Sequence, residues 1–152
     1  MQLETIELTS IVPILAKTHA ASAEIRRLSD QQKKDILYRL AEVLVANTTQ
    51  IMAENAKDLL RMDPADPKYD RLMLTEKRIA DLAESMKDVA NLSDPTGELL
   101  LSKELENGLK IKKIAVPMGV VGVIFESRPN VTVDVTALCI RSGNAVVLRG
   151  GS

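Results

Sequence analysis

Two short polar turns, each directly after an apolar run, hold the side chains of this chain that are best suited to bind an anionic ligand. The first turn is ESRPN (126–130), and the second is RGGS (149–152). Glycines let backbone amides approach a phosphate closely, and an arginine can hold a phosphate through two parallel hydrogen bonds. The sequence has neither a G-x-G-x-x-G fingerprint nor a P-loop, and many α/β proteins that bind no nucleotide share this spacing. The residues alone therefore fit both ligand binding and a purely structural role.

The periodicity around these turns predicts a strand–helix–strand unit. The run 119–125 is rich in β-branched residues, which is typical of a strand buried on both faces. Residues 131–142 have apolar side chains at helical spacing, and Gly143 follows as a helix stop. A second buried strand is predicted over 145–149. A parallel βαβ unit with a right-handed crossover places both turns at the carboxyl ends of its strands, where open α/β sheets bind ligands.

The first two thirds of the chain have the spacing of packed helices. Apolar residues recur at helical intervals in four stretches between residues 14 and 89. Ser29 and Gln32 fit a capping box, Thr75 fits an N-cap, and the polar residues 47–49 mark a break or a fresh cap. The segment 61–68, with two prolines and two aspartates, predicts a loop. These apolar stripes predict a helical core and no chemistry.

An Asn107-Gly108 dipeptide separates the helices from the strand–helix–strand unit. It predicts a type I′ hairpin turn, because both central residues of that turn need positive φ. The strand that follows, over 109–116, alternates between apolar and basic residues.

Composition and charge limit the class of protein. The 152 residues are 45% hydrophobic and 27% charged, which is typical of a soluble globular domain. No run reaches the roughly 18 apolar residues of a membrane span, and the N-terminal residues lack a signal-peptide pattern. Residues 1–109 carry a net charge of −5 and residues 110–152 a net charge of +4. The basic part suits a phosphorylated ligand, although six basic residues are few enough for chance, and three aromatic residues are too few to stack nucleic acid.

The only histidine and the only cysteine predict no chemistry. His19 has no acidic or thiol partner at ligand spacing, and a metal site needs several ligands. Cys139 lies inside the predicted crossover helix of the βαβ unit, where a free cysteine behaves as a small buried hydrophobe. Arg141 falls on a different helix face and is not placed to lower the pKa of that thiol. The sequence therefore predicts no metal site, a structural cysteine and a reducing, cytoplasmic compartment.

The stretch VPMGVVGVIFESRPNVTVDVTALCIRSGNAVVLRGGS (116–152) closely resembles the γ-glutamyl phosphate reductases, a distant branch of the aldehyde dehydrogenase superfamily. ESRPN followed by SGNAVVLRGGS is the specific pair of motifs, and weaker agreement runs through 71–97. Leu105-Glu106 departs from an expected Arg-Pro, at a turn only.

This resemblance implies an α/β fold in which an N-terminal helical region leads into the first βαβ unit of a Rossmann-type, aldehyde dehydrogenase-like cofactor domain. We expect residues 1–97 to form the helical part of that domain, residues 98–117 a hairpin and linker, and residues 118–152 the start of the NADP-binding sheet. The chain is expected to be the first part of a longer enzyme, with the catalytic domain and its nucleophilic cysteine beyond Ser152.

The implied reaction is the NADPH-dependent reduction of L-glutamyl 5-phosphate to L-glutamate 5-semialdehyde, with release of phosphate, in proline biosynthesis. We expect the 152-residue segment alone to be inactive. We expect the full-length enzyme to form a homo-oligomer and to be functionally coupled to glutamate 5-kinase. We expect no binding to nucleic acid or to membranes.

The resemblance also assigns roles to the two polar turns. The residues expected to bind NADP(H) are Phe125, Glu126, Ser127, Arg149, Gly150, Gly151 and Ser152. Arg149 takes the place of a superfamily lysine, and its charge favours a 2′-phosphate. Ser127 and Arg128 are expected to bind the substrate, and Asn130 to donate into the oxyanion hole.

Two other hypotheses fit the same residues. The chain could be a non-enzymatic assembly module, because a complete nucleophile and cofactor constellation is missing from it. It could equally belong to an aldehyde dehydrogenase-like enzyme for another acyl phosphate or aldehyde, because substrate pockets are built in part by residues that this chain lacks.

Overall fold

The computed structural model describes residues 11–126 and 128–150. The predictions made for Ser127, Gly151 and Ser152 lie outside the described residues. Across the described ranges, no helix is both long enough and apolar enough to cross a membrane.

Within those ranges, helices come first and strands second, as predicted. The first part contains α1 (Ile11–Arg27), α2 (Asp30–Ala46), α3 (Thr48–Leu59), α4 (Lys68–Leu72) and α5 (Glu76–Asn91). A hairpin of β1 (Leu99–Glu104) and β2 (Lys110–Ile114) follows, and then β3 (Val120–Phe125), α6 (Asn130–Arg141) and β4 (Ala145–Gly150). The predicted loop at 61–68 holds turns and ends where the short α4 begins.

Local capping sets the starts of α2 and α5. The Ser29 amide donates to Gln32 Oε1 at 2.8 Å, and the Gln32 amide donates to Ser29 Oγ at 3.2 Å, so the predicted capping box is confirmed. Thr75 Oγ1 accepts from the Arg78 amide at 3.2 Å, as an N-cap should. Asn47 marks a break, because its side chain donates back to the Val43 carbonyl at 2.7 Å and leaves α3 without a side-chain cap.

The core lies between α2, α5 and α6. It contains small and medium apolar side chains that are fully or almost fully buried: Leu37, Ala41, Ala83, Met86, Ala90 and Ala137. Four of the six are alanines, which lets the helix backbones approach closely. The stripes predicted on α2 and α5 contribute this core, although Ile36 and Val43 of α2 are exposed. The core prediction is wrong for Ile14 and Leu15 of α1 and for Met52 and Leu60, in and just after α3, which are also exposed.

β3, α6 and β4 form the predicted parallel βαβ unit. The strands pair in register from Val120 with Ala145 to Phe125 with Gly150. Gly143 follows α6 with a φ of +76°, and its amide donates to the Ile140 carbonyl while the Asn144 amide donates to the Cys139 carbonyl. These two bonds form a Schellman motif, so the predicted stop is confirmed.

The prediction that β3 is buried on both faces is wrong for the described residues. Gly122 is exposed and the Ile124 side chain is 85% exposed. The reason is that the described sheet has two strands, and no described element covers this face of β3. A continuous apolar run shows which side chains of a strand are suited to burial, whereas the elements packed against the strand determine which of them are buried.

The hairpin turn is also shifted by one residue from its predicted position. The Gly108 amide donates to the Leu105 carbonyl at 2.8 Å, so the tight turn centres on Glu106 and Asn107. Gly108 comes after it with a φ of +82°. This is the three-residue connection with a glycine bulge, the next most common hairpin after the two-residue type I′ turn.

Two buried cations join the ends of the core helices. Lys33 on α2 is 1% exposed, and its Nζ donates to Asp94 Oδ2 at 2.7 Å and to Thr96 Oγ1 at 3.2 Å. Arg141 on α6 is 3% exposed; its Nη2 donates to Asp30 Oδ1 at 2.6 Å and its Nε to the Leu92 carbonyl at 2.9 Å. Together these bonds tie the start of α2, the end of α5 and the end of α6 to one another.

Asp94 makes this connection dependent on pH. Burial alone would raise the pKa of its carboxyl, but hydrogen bonds from Lys33 and Thr96 outweigh burial, and the pKa is lowered. A lowered pKa in the folded state means that the ionised carboxylate stabilises the fold above its unfolded pKa of about 3.9. That contribution is lost as the pH falls through the folded pKa.

We predict that removing Asp94 destabilises the chain more than removing Lys33. Asp94→Ala leaves an ammonium buried without a counter-ion, a change that costs about 3–5 kcal/mol. Lys33→Met costs less, about 1–3 kcal/mol, because the Asp94 side chain is 15% exposed and can be hydrated. The double variant loses both charges and should be more stable than Asp94→Ala alone.

Urea unfolding at pH 7 measures this order. Asp88→Ala, which removes an exposed carboxylate of α5, is the matched control and should change the free energy of unfolding by less than about 0.5 kcal/mol. If Lys33→Met proved the more damaging single change, the ion pair would not be the dominant interaction at this position.

Candidate functional site

A cleft of about 470 Å³ lies between the α4–α5 segment and the start of α6. One side is lined by Arg128, Pro129, Asn130 and Asp134. The other side is lined by Asp70, Arg71, Met73, Leu74, Arg78, Asp81, Leu82 and Ser85. The volume is in the range of small-molecule sites. Arg128 and Asn130, both predicted to contact substrate, therefore line one cavity.

The α6 side of the cleft is set by the turn that follows β3. Pro129 precedes the helix, and Asn130 is its first residue. The Asn130 side chain donates from Nδ2 to Asp134 Oδ2, one helical turn further on, at 3.3 Å. Arg128 is exposed beside them, and its carbonyl accepts from the Val131 amide at 3.1 Å. The turn thus presents an arginine, an amide and a carboxylate to the same space.

The α4–α5 side is held together by one arginine. Arg78 on α5 donates from Nη2 to Asp70 Oδ1 at 2.8 Å and from Nη1 to the Met73 carbonyl at 2.7 Å. Nη1 also donates to the Asp70 carbonyl. These bonds fold α4 back onto the first turn of α5. They also pair the charges of Arg78 and Asp70, although both side chains stay partly exposed, at 40% and 73%.

Asn55 fixes the segment that connects the two helices. It is the one buried residue of α3, and its side chain forms hydrogen bonds with main-chain groups of the segment between α4 and α5. Its Nδ2 donates to the Leu72 carbonyl at 2.9 Å, and its Oδ1 accepts from the Leu74 amide at 2.7 Å. Sequence reasoning missed this residue, although a signal exists: Asn55 interrupts the apolar spacing between Ile51 and Leu59.

The cofactor residues predicted from the resemblance lie at the carboxyl ends of β3 and β4. Phe125 is half-buried and pairs in register with Gly150, while Glu126 and Arg149 are exposed. The Arg149 guanidinium donates from Nη1 to the Gly150 carbonyl at 2.7 Å. This group forms a sheet edge separate from the lining of the cleft, and the turn 126–130 connects the two.

Lys68 is a second residue that sequence reasoning missed. Its Nζ lies 3.2 Å from Glu126 Oε1, and this ion pair joins the start of α4 to the end of β3. The two residues are 58 positions apart in sequence, and no local pattern brings them together. Both are partly exposed, so the pair itself adds little to stability. Its consequence is that Glu126 presents less negative charge at the sheet edge.

The prediction that Cys139 is a buried structural residue is confirmed. Its side chain is 6% exposed, and burial raises the pKa of its thiol, which disfavours the reactive thiolate. His19 is exposed on α1. In the part of the chain that the structure describes, no group of three or more histidine, cysteine, aspartate or glutamate residues is arranged to hold a metal ion.

The chain is similar in sequence to proteins named γ-glutamyl phosphate reductase. γ-Glutamyl phosphate reductase from Bacteroides thetaiotaomicron is 46% identical over 144 residues, which is 95% of this chain and 34% of that protein. The reductase from Chlorobium phaeobacteroides is 51% identical over 138 residues, or 91% of this chain and 33% of that protein. The chain spans about a third of the length of these relatives. No family model matches it.

Solved structures show the same similarity. γ-Glutamyl phosphate reductase from Thermotoga maritima matches 93% of this chain and 35% of its own, at 34% identity and a TM-score of 0.86. The reductase from Saccharomyces cerevisiae matches 94% of this chain and 37% of its own, at 37% identity and a TM-score of 0.87. A probable aldehyde dehydrogenase from Listeria monocytogenes, at 18% identity and a TM-score of 0.65, shares the fold. The resemblance and the fold class expected from the motifs are thereby confirmed.

We predict that Asn55→Ala loosens one side of the cleft. Its loss leaves the Leu72 carbonyl and the Leu74 amide without partners, which costs about 1–3 kcal/mol of unfolding free energy. Amide hydrogen exchange at Leu74 should accelerate, and urea unfolding should report the loss. Asn91→Ala removes an exposed asparagine that accepts from Tyr38 at the surface, and this control should leave exchange at Leu74 unchanged. Unaltered exchange in Asn55→Ala would contradict the role given to this residue.

Proposed function

We propose that the chain acts, as part of a full-length γ-glutamyl phosphate reductase, in the NADPH-dependent reduction of L-glutamyl 5-phosphate to L-glutamate 5-semialdehyde with release of phosphate. The observation that carries the proposal is identity of 46–51% to reductases of this name over more than nine tenths of the chain. Because the chain spans about a third of those proteins, we assign the activity to the full-length enzyme and expect this segment alone to be inactive. The proposed setting is proline biosynthesis in the cytoplasm.

The cleft supports this chemistry through Arg128 and Asn130. A thiolate that attacks the acyl carbon forms a carbon–sulfur bond and places negative charge on the acyl oxygen; when this tetrahedral species collapses to a thioester, the carbon–oxygen bond to the phosphate breaks and phosphate leaves. Asn130 uses one N–H of its side chain for Asp134, so the second N–H is left to donate to that oxygen. Arg128 is exposed in the same cleft and can hold the phosphate or carboxylate of the substrate with two hydrogen bonds. The nucleophilic cysteine is proposed to lie outside this chain.

The sheet edge fits an anionic dinucleotide. Arg149 is an exposed cation at the carboxyl end of β4, in register with the exposed Ile124 of β3. Lys68 offsets the charge of Glu126, so the edge does not repel a phosphate. Gly150 pairs with Phe125 at the same edge. Ser127, Gly151 and Ser152 are also proposed to bind the cofactor. When bound, NADPH supplies a hydride; Arg149 is proposed to hold its 2′-phosphate.

The proposed partners follow from exposed apolar surface and from substrate chemistry. About half of the side-chain surface of Leu99, Leu100 and Leu101 in β1 is exposed, together with Ile111 and Ile114 in β2. A large exposed apolar surface favours association, which supports a homo-oligomer of the full-length enzyme. An acyl phosphate must be supplied by phosphorylation of the side-chain carboxyl of glutamate, which is the reason for the proposed coupling to glutamate 5-kinase.

We predict that the intact gene product reduces L-glutamyl 5-phosphate with NADPH and that the 152-residue chain alone does not. The assay follows NADPH absorbance with the acyl phosphate generated in place, and competing acyl phosphates and aldehydes are run beside it. A clear preference for one of those competitors would support the alternative of an aldehyde dehydrogenase-like enzyme for another substrate. An intact product without a cysteine-bearing catalytic domain would contradict the assignment to an active enzyme.

We predict that Arg149→Ala in the full-length enzyme raises the KM for NADPH roughly tenfold or more, because one charge-assisted contact to the 2′-phosphate is lost. The KM for NADH, which lacks that phosphate, should change little. Arg39→Ala is the control, since Arg39 pairs with Glu42 on the exposed face of α2. An equal rise for both cofactors would exclude the 2′-phosphate contact.

A further inference from the structure

We propose that Asp134 binds the α-ammonium group of the substrate and so makes the cleft specific for an amino acid. The inference rests on the proposed function, which supplies a substrate with an acyl phosphate at one end and an ammonium and a carboxylate at the other. It assigns a role to the cleft carboxylate on α6, beside the residues predicted to contact the acyl group.

Asp134 is the cleft carboxylate whose charge the chain does not neutralise. Asp70 is bound to Arg78 at 2.8 Å, and Asp81 is bound to Lys77 at 2.6 Å. For Asp134, no basic partner exists among residues 11–126 and 128–150, and its recorded contact is the amide of Asn130 at 3.3 Å. Asp134 is half-buried, so its negative charge is held in a partly desolvated cavity. A cation from outside the chain would satisfy it.

The polar groups of Asn130 and Asp134 lie within reach of the two ends of the substrate. The residues are four positions apart on one face of α6, and their nearest polar atoms, Nδ2 and Oδ2, are 3.3 Å apart, so ligand groups one hydrogen bond beyond each of them can lie about 5 Å apart. In a glutamyl group, four bonds separate the acyl carbon from the α-nitrogen, and they span about 5 Å when extended. A substrate lying along the helix can therefore place its acyl oxygen at Asn130 and its ammonium at Asp134.

Cations on both sides of the cleft complete the recognition of an amino acid. Arg78 is occupied by Asp70, whereas Arg71 and Arg128 line the cleft and have no ion pair within the described ranges. Two arginines can accommodate the phosphate and the α-carboxylate, and one carboxylate can accommodate the ammonium. A substrate without the ammonium would leave Asp134 desolvated and unpaired, and sites with an unpaired buried polar group reject such analogues strongly.

The test compares two substrates in the full-length enzyme, in the oxidative direction with phosphate and NADP⁺. Glutamate 5-semialdehyde carries the ammonium. 5-Oxopentanoate is the same aldehyde without the amino group, and it keeps the carboxylate. Asp134→Asn removes the charge but keeps an oxygen that accepts from Asn130. We expect it to lower kcat/KM for glutamate 5-semialdehyde roughly 10- to 100-fold, as the loss of a charge-assisted hydrogen bond does. For 5-oxopentanoate, kcat/KM should stay within about threefold.

Controls separate this role from a structural one. Each variant receives the same substrate preparation, so the cyclised fraction of the amino aldehyde cancels. Asp88→Asn, which removes an exposed carboxylate of α5 outside the lining of the cleft, should leave the ratio between the two substrates unchanged. Asp134→Glu keeps the charge and should retain a preference for the ammonium-bearing substrate, which guards against a folding defect in Asp134→Asn.

The outcomes distinguish the inference from the proposed function. An equal loss on both substrates, or no loss on either, would overturn the role of Asp134 while the activity of the wild-type enzyme still supported the proposed function. A wild-type enzyme that oxidised neither substrate would overturn the proposed function and this inference together.

Discussion

The ion pair between Arg141 and Asp30 determines where α6 lies, and the position of α6 determines both candidate sites. Arg141 is buried in the last turn of the helix, where its guanidinium also holds the Leu92 carbonyl after α5. Since α6 is a rod of 12 residues, anchoring its end against α2 and α5 fixes the direction in which its first residue points. Asn130 reaches the cleft for this reason. Lys33 and Asp94 reinforce the anchor from the opposite side of Gly143, whose missing side chain leaves room for Pro117.

The features that the sequence could predict depend on short stretches of chain. The capping box at Ser29 and the stop at Gly143 each follow from residues within a few positions of one another, and each β-branched run indicates a strand by itself. The features that escaped prediction depend on distant partners. Asn55 holds a segment 17 to 19 residues away and Lys68 meets Glu126 across 58 residues; the break in apolar spacing at Asn55 marks that residue without identifying its partner, and no local pattern marks the contact of Lys68.

The candidate site was predicted from one side only, for the same reason. Arg128 and Asn130 were found because they sit in a recognisable motif after a strand. Two residues of the α4–α5 segment that face them are Arg71 and Asp81. Asp81 lies in a helix whose pattern indicated core packing alone, and Arg71 lies in α4, a short helix that the sequence analysis did not predict. A helix has two faces, and its apolar stripe describes the face that packs. The polar face becomes interpretable once the tertiary fold shows which cavity it lines.

The turn 126–130 places two different chemistries within five residues, and this closeness is a mechanical requirement of the proposed reaction. A hydride can pass only between groups in contact, so the site that binds the cofactor and the site that binds the acyl group must share a boundary. Glu126 belongs to the sheet edge and Asn130 to the cleft; Glu126 directly follows β3, and Asn130 is the first residue of α6. Both elements are parts of one βαβ unit, so a displacement of α6 moves the cleft relative to the sheet edge. The buried arginine at the far end of α6 therefore helps to set the distance between the two candidate sites, although it does not line the cleft.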